Sequence, residues 1–259
     1  MEVVKDSVAF LIPCAGDVDN RVLQSAMTLA SFATFNGFTV RQVGITDRTV
    51  IHTARNILTR ELLKSECEWA FWMDSDMILE PRTIATMISW LKKVDGKCAT
   101  GVYYQRQGDH KPIIFLKDPK TVDGKRLHEM PDEYSHSAIV PHPNMKIPFK
   151  VDAAGFGCFL FHRSVAEAMQ EPYFKNHFFK NDKEVSEDFY FCIKARQLGF
   201  DIWAIPDLRC GHIGTAQAYY SEDFKRPDEI AECVIETAKP VYGGEVEVDP
   251  RTIKQGSAA

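Results

Sequence analysis

From Ser7 to Tyr104, short apolar runs take turns with stretches of helical periodicity, and that alternation dictates the kind of sheet the chain can build. Ser7–Cys14 (SVAFLIPC), Phe38–Ile45, Trp69–Met73 and Lys97–Tyr104 read as strands, the first broken by Pro13. Between them, Asn20–Asn36 carries Leu23, Ala26, Met27, Ala30 and Ala33 at helical spacing and stops at Gly37. Thr49–Lys64 places Ile51, Ala54, Leu58 and Leu62 on one face. The helix after Pro81 repeats Ile84, Met87, Ile88 and Leu91 in the same way. Strand–helix alternation implies an α/β fold, a mainly parallel sheet flanked by helices on both faces. With 259 residues and 45% hydrophobic content, one sizeable core is expected. The expected organisation is a single domain over residues 1–238 and a polar tail over 239–259.

Trp69–Met73 runs directly into Asp74-Ser75-Asp76. Two carboxylates there lie outside the carboxyl end of a buried strand, the edge at which open α/β sheets bind ligands. Anions this close repel, and a hard divalent cation, Mg²⁺ or Mn²⁺, suits carboxylate oxygens. A solvated turn has the same composition; the apolar strand before it and the helix after it favour a ligand site. Thr46-Asp47-Arg48 is a second strand-to-helix loop at the same edge as Pro13.

The alternation then breaks. Gln105–Lys150 is rich in Pro, His, Lys and Asp, with a short strand at Ile113–Leu116. A long irregular segment inside a compact domain reads as an insertion, a lid or acceptor-binding loop whose order depends on ligands. Order returns at Val151–His162, where Gly155 and Gly157 bracket Phe156 ahead of a strand at Cys158–Phe161. Glycines there let backbone approach a ligand closely, and they serve equally in a bulge or tight turn. Arg163–Gln170 reads as a short helix. Ser186-Glu187-Asp188 opens another, with Ser186 as N-cap and both acids in the first turn. That turn favours negative charge in any helix, so the dipole should hold the Asp188 carboxyl low. After a strand at Phe200–Ile205, Cys210-Gly211-His212 reads as a loop whose histidine is either structural or a ligand.

Charge and cysteine content exclude other classes. A net charge of −5 provides no global basic field for nucleic acid. The seven cysteines are scattered without CxxC spacing and read as reduced thiols, several in core positions (Cys98, Cys158, Cys192). With no signal peptide and no membrane-length apolar run, a cytoplasmic protein without a membrane span is expected.

Taken in order, these elements resemble a GT-A fold (Rossmann-like) glycosyltransferase of the broad family-2 type. The resemblance rests on Pro13, Ala54-Arg55-Asn56, Asp74-Ser75-Asp76, Gly155-Phe156-Gly157, Ser186-Glu187-Asp188, Gly199 and His212. It covers residues 7–214. It implies metal-dependent transfer of a sugar from a nucleoside diphosphate sugar, a UDP-sugar favoured, to a hydroxyl of a glycan, small molecule or modified nucleic acid. It implies a metal (Mn²⁺ or Mg²⁺) at Asp74, Asp76 and His212. It implies donor contacts at Pro13, Asp47, Arg55, Asp74, Ser75, Gly155 and Gly157. Asp188 would be the general base of an inverting reaction, with Glu187 orienting it. A nucleotidyltransferase is the alternative, but it needs a basic residue in the first loop, and 13–19 has no Lys or Arg. A sugar-binding module would not need Asp74, Asp76, Asp188 and His212 together. A hydroxylated DNA base is the variant acceptor, suggested by Lys111, Lys117, Lys120, Lys125, Arg126 and Lys146 beside Tyr103, Tyr104 and Phe115.

Overall fold

The computed structural model describes residues 2–14, 16–46, 49–117, 121–122, 125–126, 136–142, 144–178, 184–214 and 218–219. The elements in the first half are β1 (Val4–Ile12), α1 (Asn20–Phe35), β2 (Thr39–Ile45), α2 (Ile51–Lys64), β3 (Cys67–Met73), β4 (Met77–Leu79), α3 (Thr83–Lys93) and β5 (Cys98–Gly101). Short strands follow: β6 (Ile114–Lys117), β7 (Thr121–Val122), β8 (Lys125–Arg126), β9 (His136–Ala138), β10 (Phe149–Val151) and β11 (Ala153–Ala154). The chain continues through β12 (Cys158–His162), α4 (Arg163–Ala168), β13 (His177–Phe178), β14 (Glu184–Val185), α5 (Glu187–Gln197), β15 (Ile202–Ile205), β16 (Cys210–Ile213) and β17 (Ala218–Tyr219).

The fold is α/β, with a central seven-stranded sheet in the order β10-β15-β5-β12-β3-β1-β2. Strands β2, β1, β3, β5 and β15 run one way, while β12 and β10 run against them. The sheet is therefore mainly parallel, as expected, with the Cys158–His162 strand inserted antiparallel between β3 and β5. Alternate side chains point to opposite faces. Ala9, Leu11, Ala70, Trp72, Phe159 and Phe161 pack with Leu58 and Leu62 of α2 and Phe191 of α5. Val8, Phe10, Phe71, Met73 and Leu160 pack with Leu29 of α1 and Ile84, Met87, Ile88 and Leu91 of α3. Helices thus cover both faces.

Two helix faces differ from the sequence expectation. In α1 the buried residues are Val22, Ser25, Leu29 and Ala33, whereas Leu23 and Met27 are exposed. The reason is Ser25, a polar residue an apolar count discards. Its hydroxyl donates to the Leu79 carbonyl at 3.0 Å and accepts from the Leu79 N–H at 2.8 Å, which rotates the helix inward on that side. In α2, Ile51 lies outside and Arg55, Asn56 and Thr59 lie inside. Among the described residues of the 105–150 segment, β6 joins β9 and β11 in a three-stranded antiparallel sheet. Cys210-Gly211-His212, expected as a loop, belongs to strand β16, paired antiparallel with β4. The residues 221–259 that include the expected tail lie outside the described residues.

Candidate active site

The sheet topology brings its chemistry to one end. Asp74 follows β3 and Tyr103 and Tyr104 follow β5, two strands whose carboxyl ends coincide. Because β12 runs antiparallel between them, the 155–157 turn precedes it at that same end. Pro13 ends β1 there as well, two residues past Leu11, the partner of Trp72. The turn is stitched in place: the Asp74 N–H donates to the Gly157 carbonyl at 3.3 Å, and the Gly157 N–H donates to Tyr103 Oη at 2.9 Å. A Cβ on Gly155 would stand 2.2 Å from Tyr103 Oη, and one on Gly157 would stand 2.8 Å from Tyr103 Cζ. Here the glycines answer to a tyrosine packed against backbone, a close approach that any side chain would block.

Arg55 reaches this end from α2. Its side chain is 2% exposed, and three carboxylates surround it. Nη2 lies 3.2 Å from Asp74 Oδ1 and 3.3 Å from Asp188 Oδ1, and Nε lies 3.3 Å from Glu187 Oε1. The guanidinium also stacks over Phe156, 5.1 Å from the ring centroid. Burial opposes its charge, but Asp188, Asp74 and Glu187 outweigh burial and hold its pKa above the ordinary arginine value. One buried cation thus gathers acids from the end of β3 and the start of α5. Asn56 beside it plays another part: its amide donates to the Phe174 carbonyl and accepts from the Tyr173 and Phe174 N–H groups.

Asp188 differs from its expected state. Ser186 is the N-cap by position but makes no side-chain cap bond, and the helix end does not hold Asp188 low. Burial pushes its carboxyl well above the usual carboxylate range; Arg55 opposes that shift, and Glu187 and Asp74 reinforce it. Three acids share the one guanidinium here, and that crowding adds to the effect of burial. Oδ2 accepts the Phe156 N–H at 3.2 Å, while Oδ1 is buried without a hydrogen-bond donor. Burial likewise raises the Asp74 carboxyl, with Arg55 opposing and Asp76 and Glu187 adding to it.

Asp76 faces a different set of groups. His212 Nε2 lies 3.3 Å from Asp76 Oδ2, although 136 residues separate them in sequence. His212 Nδ1 is 2.7 Å from the Tyr104 carbonyl, so Nδ1 carries the proton and Nε2 is directed at Asp76. Arg106 Nη1 donates to the same Asp76 oxygen at 2.5 Å. Burial raises the Asp76 carboxyl, but the His212 hydrogen bond and the charges of His212 and Arg106 outweigh it and hold it below its usual value. Burial lowers His212, and its bonds to Asp76 and Tyr104 outweigh that and raise it.

The structure therefore brings Arg55, Asp74, Glu187 and Asp188 together, and sets Asp76 and His212 beside each other one turn away. Ser75 lies in the tight turn closed by the Met77 N–H to the Asp74 carbonyl at 3.1 Å. Asp47 lies outside the described residues. Among the described residues, no group of three or more His, Cys, Asp or Glu is drawn together to hold a metal ion. The two acids of the Asp-Ser-Asp turn each face an arginine instead. Sequence reasoning missed Arg106 and the supporting role of Tyr103. The available signal for Arg106 was its place just beyond a strand end on the edge that carries the acids.

No family model and no curated protein matches the chain. Among solved structures, it is similar to the A197 protein from STIV, with TM-score 0.50 and 17% identity over 80% of this chain and 86% of that one. It is also similar to GalNAc-T7 solved with UDP, GalNAc and Mn²⁺, with TM-score 0.49 and 13% identity over 80% of this chain. The match spans 44% of the GalNAc-T7 chain. The likeness to A197 is one of fold.

Proposed function

We propose that the chain is a divalent-metal-dependent glycosyltransferase that moves a sugar from a nucleoside diphosphate sugar to a hydroxyl acceptor with inversion. The observation that carries this reading is the convergence of Asp74, Asp76, Glu187, Asp188 and His212 on one end of the sheet. Asp188 is the base of this reading. A raised pKa makes its carboxylate form a stronger proton acceptor, and the Asp188 side chain remains 17% exposed. An acceptor hydroxyl that reaches this carboxylate donates to it and gives up its proton as it attacks the sugar. Glu187 and Arg55 hold Asp188 in place through the shared guanidinium.

A cation belongs to this reading, held by Asp76 and His212 rather than by a ready-made cluster of three ligands among the described residues. A metal-ligating histidine commonly donates its other ring N–H to a backbone carbonyl, and His212 does so to Tyr104. Asp76 and His212 would hold the ion, with Asp74 beside them. When bound, it supplies charge neutralisation for the departing diphosphate. Arg55 is engaged by acids, so its part in donor binding is indirect: it fixes Asp74. Incubation with a panel of nucleotide sugars and hydroxyl acceptors, read by product mass spectrometry, tests the reading. Transfer is expected from the wild type with Mn²⁺, and Asp188→Asn should lose roughly 10²–10⁴-fold of it. A variant that transfers at the wild-type rate would remove Asp188 from the chemistry.

A further inference from the structure

We infer that Arg106 is the resident counterion of the cation site, and that a divalent cation enters by displacing its guanidinium from Asp76. The inference rests on the metal-dependent reading above and names how its site is kept when no ion is bound. Arg106 Nη1 and His212 Nε2 both address Asp76 Oδ2, at 2.5 and 3.3 Å. A divalent ion seeks that same oxygen, and the guanidinium and the ion repel each other at such a range. Both cannot stay.

The surroundings decide which one moves. His212 is 12% exposed and tied through Nδ1 to the Tyr104 carbonyl, and the Asp76 carbonyl accepts the Ile213 N–H at 2.7 Å. That half of the site is built into β16 and the end of β5. The Arg106 side chain is 49% exposed. It sits near the tip of a hairpin whose root is closed by the Ile113 N–H to the Tyr103 carbonyl at 2.9 Å and the Gln105 N–H to the Lys111 carbonyl at 3.0 Å. Its turn contains Gly108 in the left-handed region. Arg106 can therefore swing into solvent at little cost, because an exposed ion pair is weak and the backbone bonds of the hairpin stay made. The arrangement also keeps Asp76 from standing as an uncompensated charge in a part-buried cleft that already has more acid than base.

The test is Mn²⁺ titration of the full chain by calorimetry, without any nucleotide, for the wild type, Arg106→Gln and Asp76→Ala. Arg106→Gln is expected to bind Mn²⁺ roughly 5-fold or more tightly than the wild type. Asp76→Ala is expected to lose the binding. Equal or weaker affinity in Arg106→Gln, with binding still dependent on Asp76, overturns the displacement and leaves the metal reading intact. No Asp76-dependent Mn²⁺ binding in either the wild type or Arg106→Gln overturns both.

Discussion

At the scale of single residues, the cleft is governed by charge imbalance around Arg55. Asp74, Glu187 and Asp188 share one buried guanidinium, and burial, reinforced by Glu187 and Asp74, raises the Asp188 pKa. The sign of the resulting stability effect follows from linkage. The folded-state pKa of Asp188 lies above the unfolded value, so the unfolded chain releases this proton first as pH rises. Stability is full below the unfolded pKa and declines until the pH passes the folded one. At neutral pH the buried Asp188 carboxyl therefore works against the fold. Asp188→Asn keeps the size and can still accept the Phe156 N–H. It is expected to raise the melting temperature at pH 7–8 relative to wild type and to change it less near pH 4, while transfer is lost. Thermal melts of both proteins across that range provide the check; an equal shift at both pH values would mean that charge is not the cause.

At the scale of elements, the sequence carried the pattern and missed what polar contacts decide. Trp69–Met73 was legible as a buried strand because its run is short, apolar and followed at once by acids. The start of α5 at Glu187, the helix of Ile84, Met87, Ile88 and Leu91, and the place of the acids at a strand's carboxyl end were legible for the same local reasons. The antiparallel insertion of β12 was not, since strand direction is set by distant pairing and leaves no trace in periodicity. Nor was the inward face of α2, where Arg55 and Asn56 are buried because acids and backbone groups from far along the chain receive them. Asn56 shows how much such a contact carries. Its amide nitrogen donates to the Phe174 carbonyl at 2.7 Å, and its oxygen accepts the Tyr173 N–H at 2.9 Å. Asn56→Leu strands these buried backbone groups and should cost at least about 2 kcal/mol in urea unfolding. A smaller loss would mean that the 173–174 segment finds other partners.

At the scale of the whole molecule, the site is the place where distant parts of the chain meet. Arg55 comes from α2, Asp74 and Asp76 from the end of β3, Asp188 from α5, Arg106 from the hairpin after β5, and His212 from β16. The covering elements lie on both faces of one sheet, with separate apolar clusters on each side. A ligand that bridges Asp76, His212 and the end of β3 therefore ties the first half of the chain to its last described strands. Binding to the folded state alone stabilises it by about 2.7 kcal/mol at a ligand concentration 100 times its Kd. For a chain of this size that corresponds to a rise of about 5–10 °C in melting temperature. Uridine diphosphate with Mn²⁺ is expected to produce a rise of that order. Chelation should remove most of it, because the diphosphate then meets the acids of the cleft without an intervening cation. Asp76→Ala should respond to the nucleotide with and without Mn²⁺ alike. A wild-type shift of equal size in the presence of chelator would instead place the diphosphate away from Asp76, on groups that need no ion to receive it.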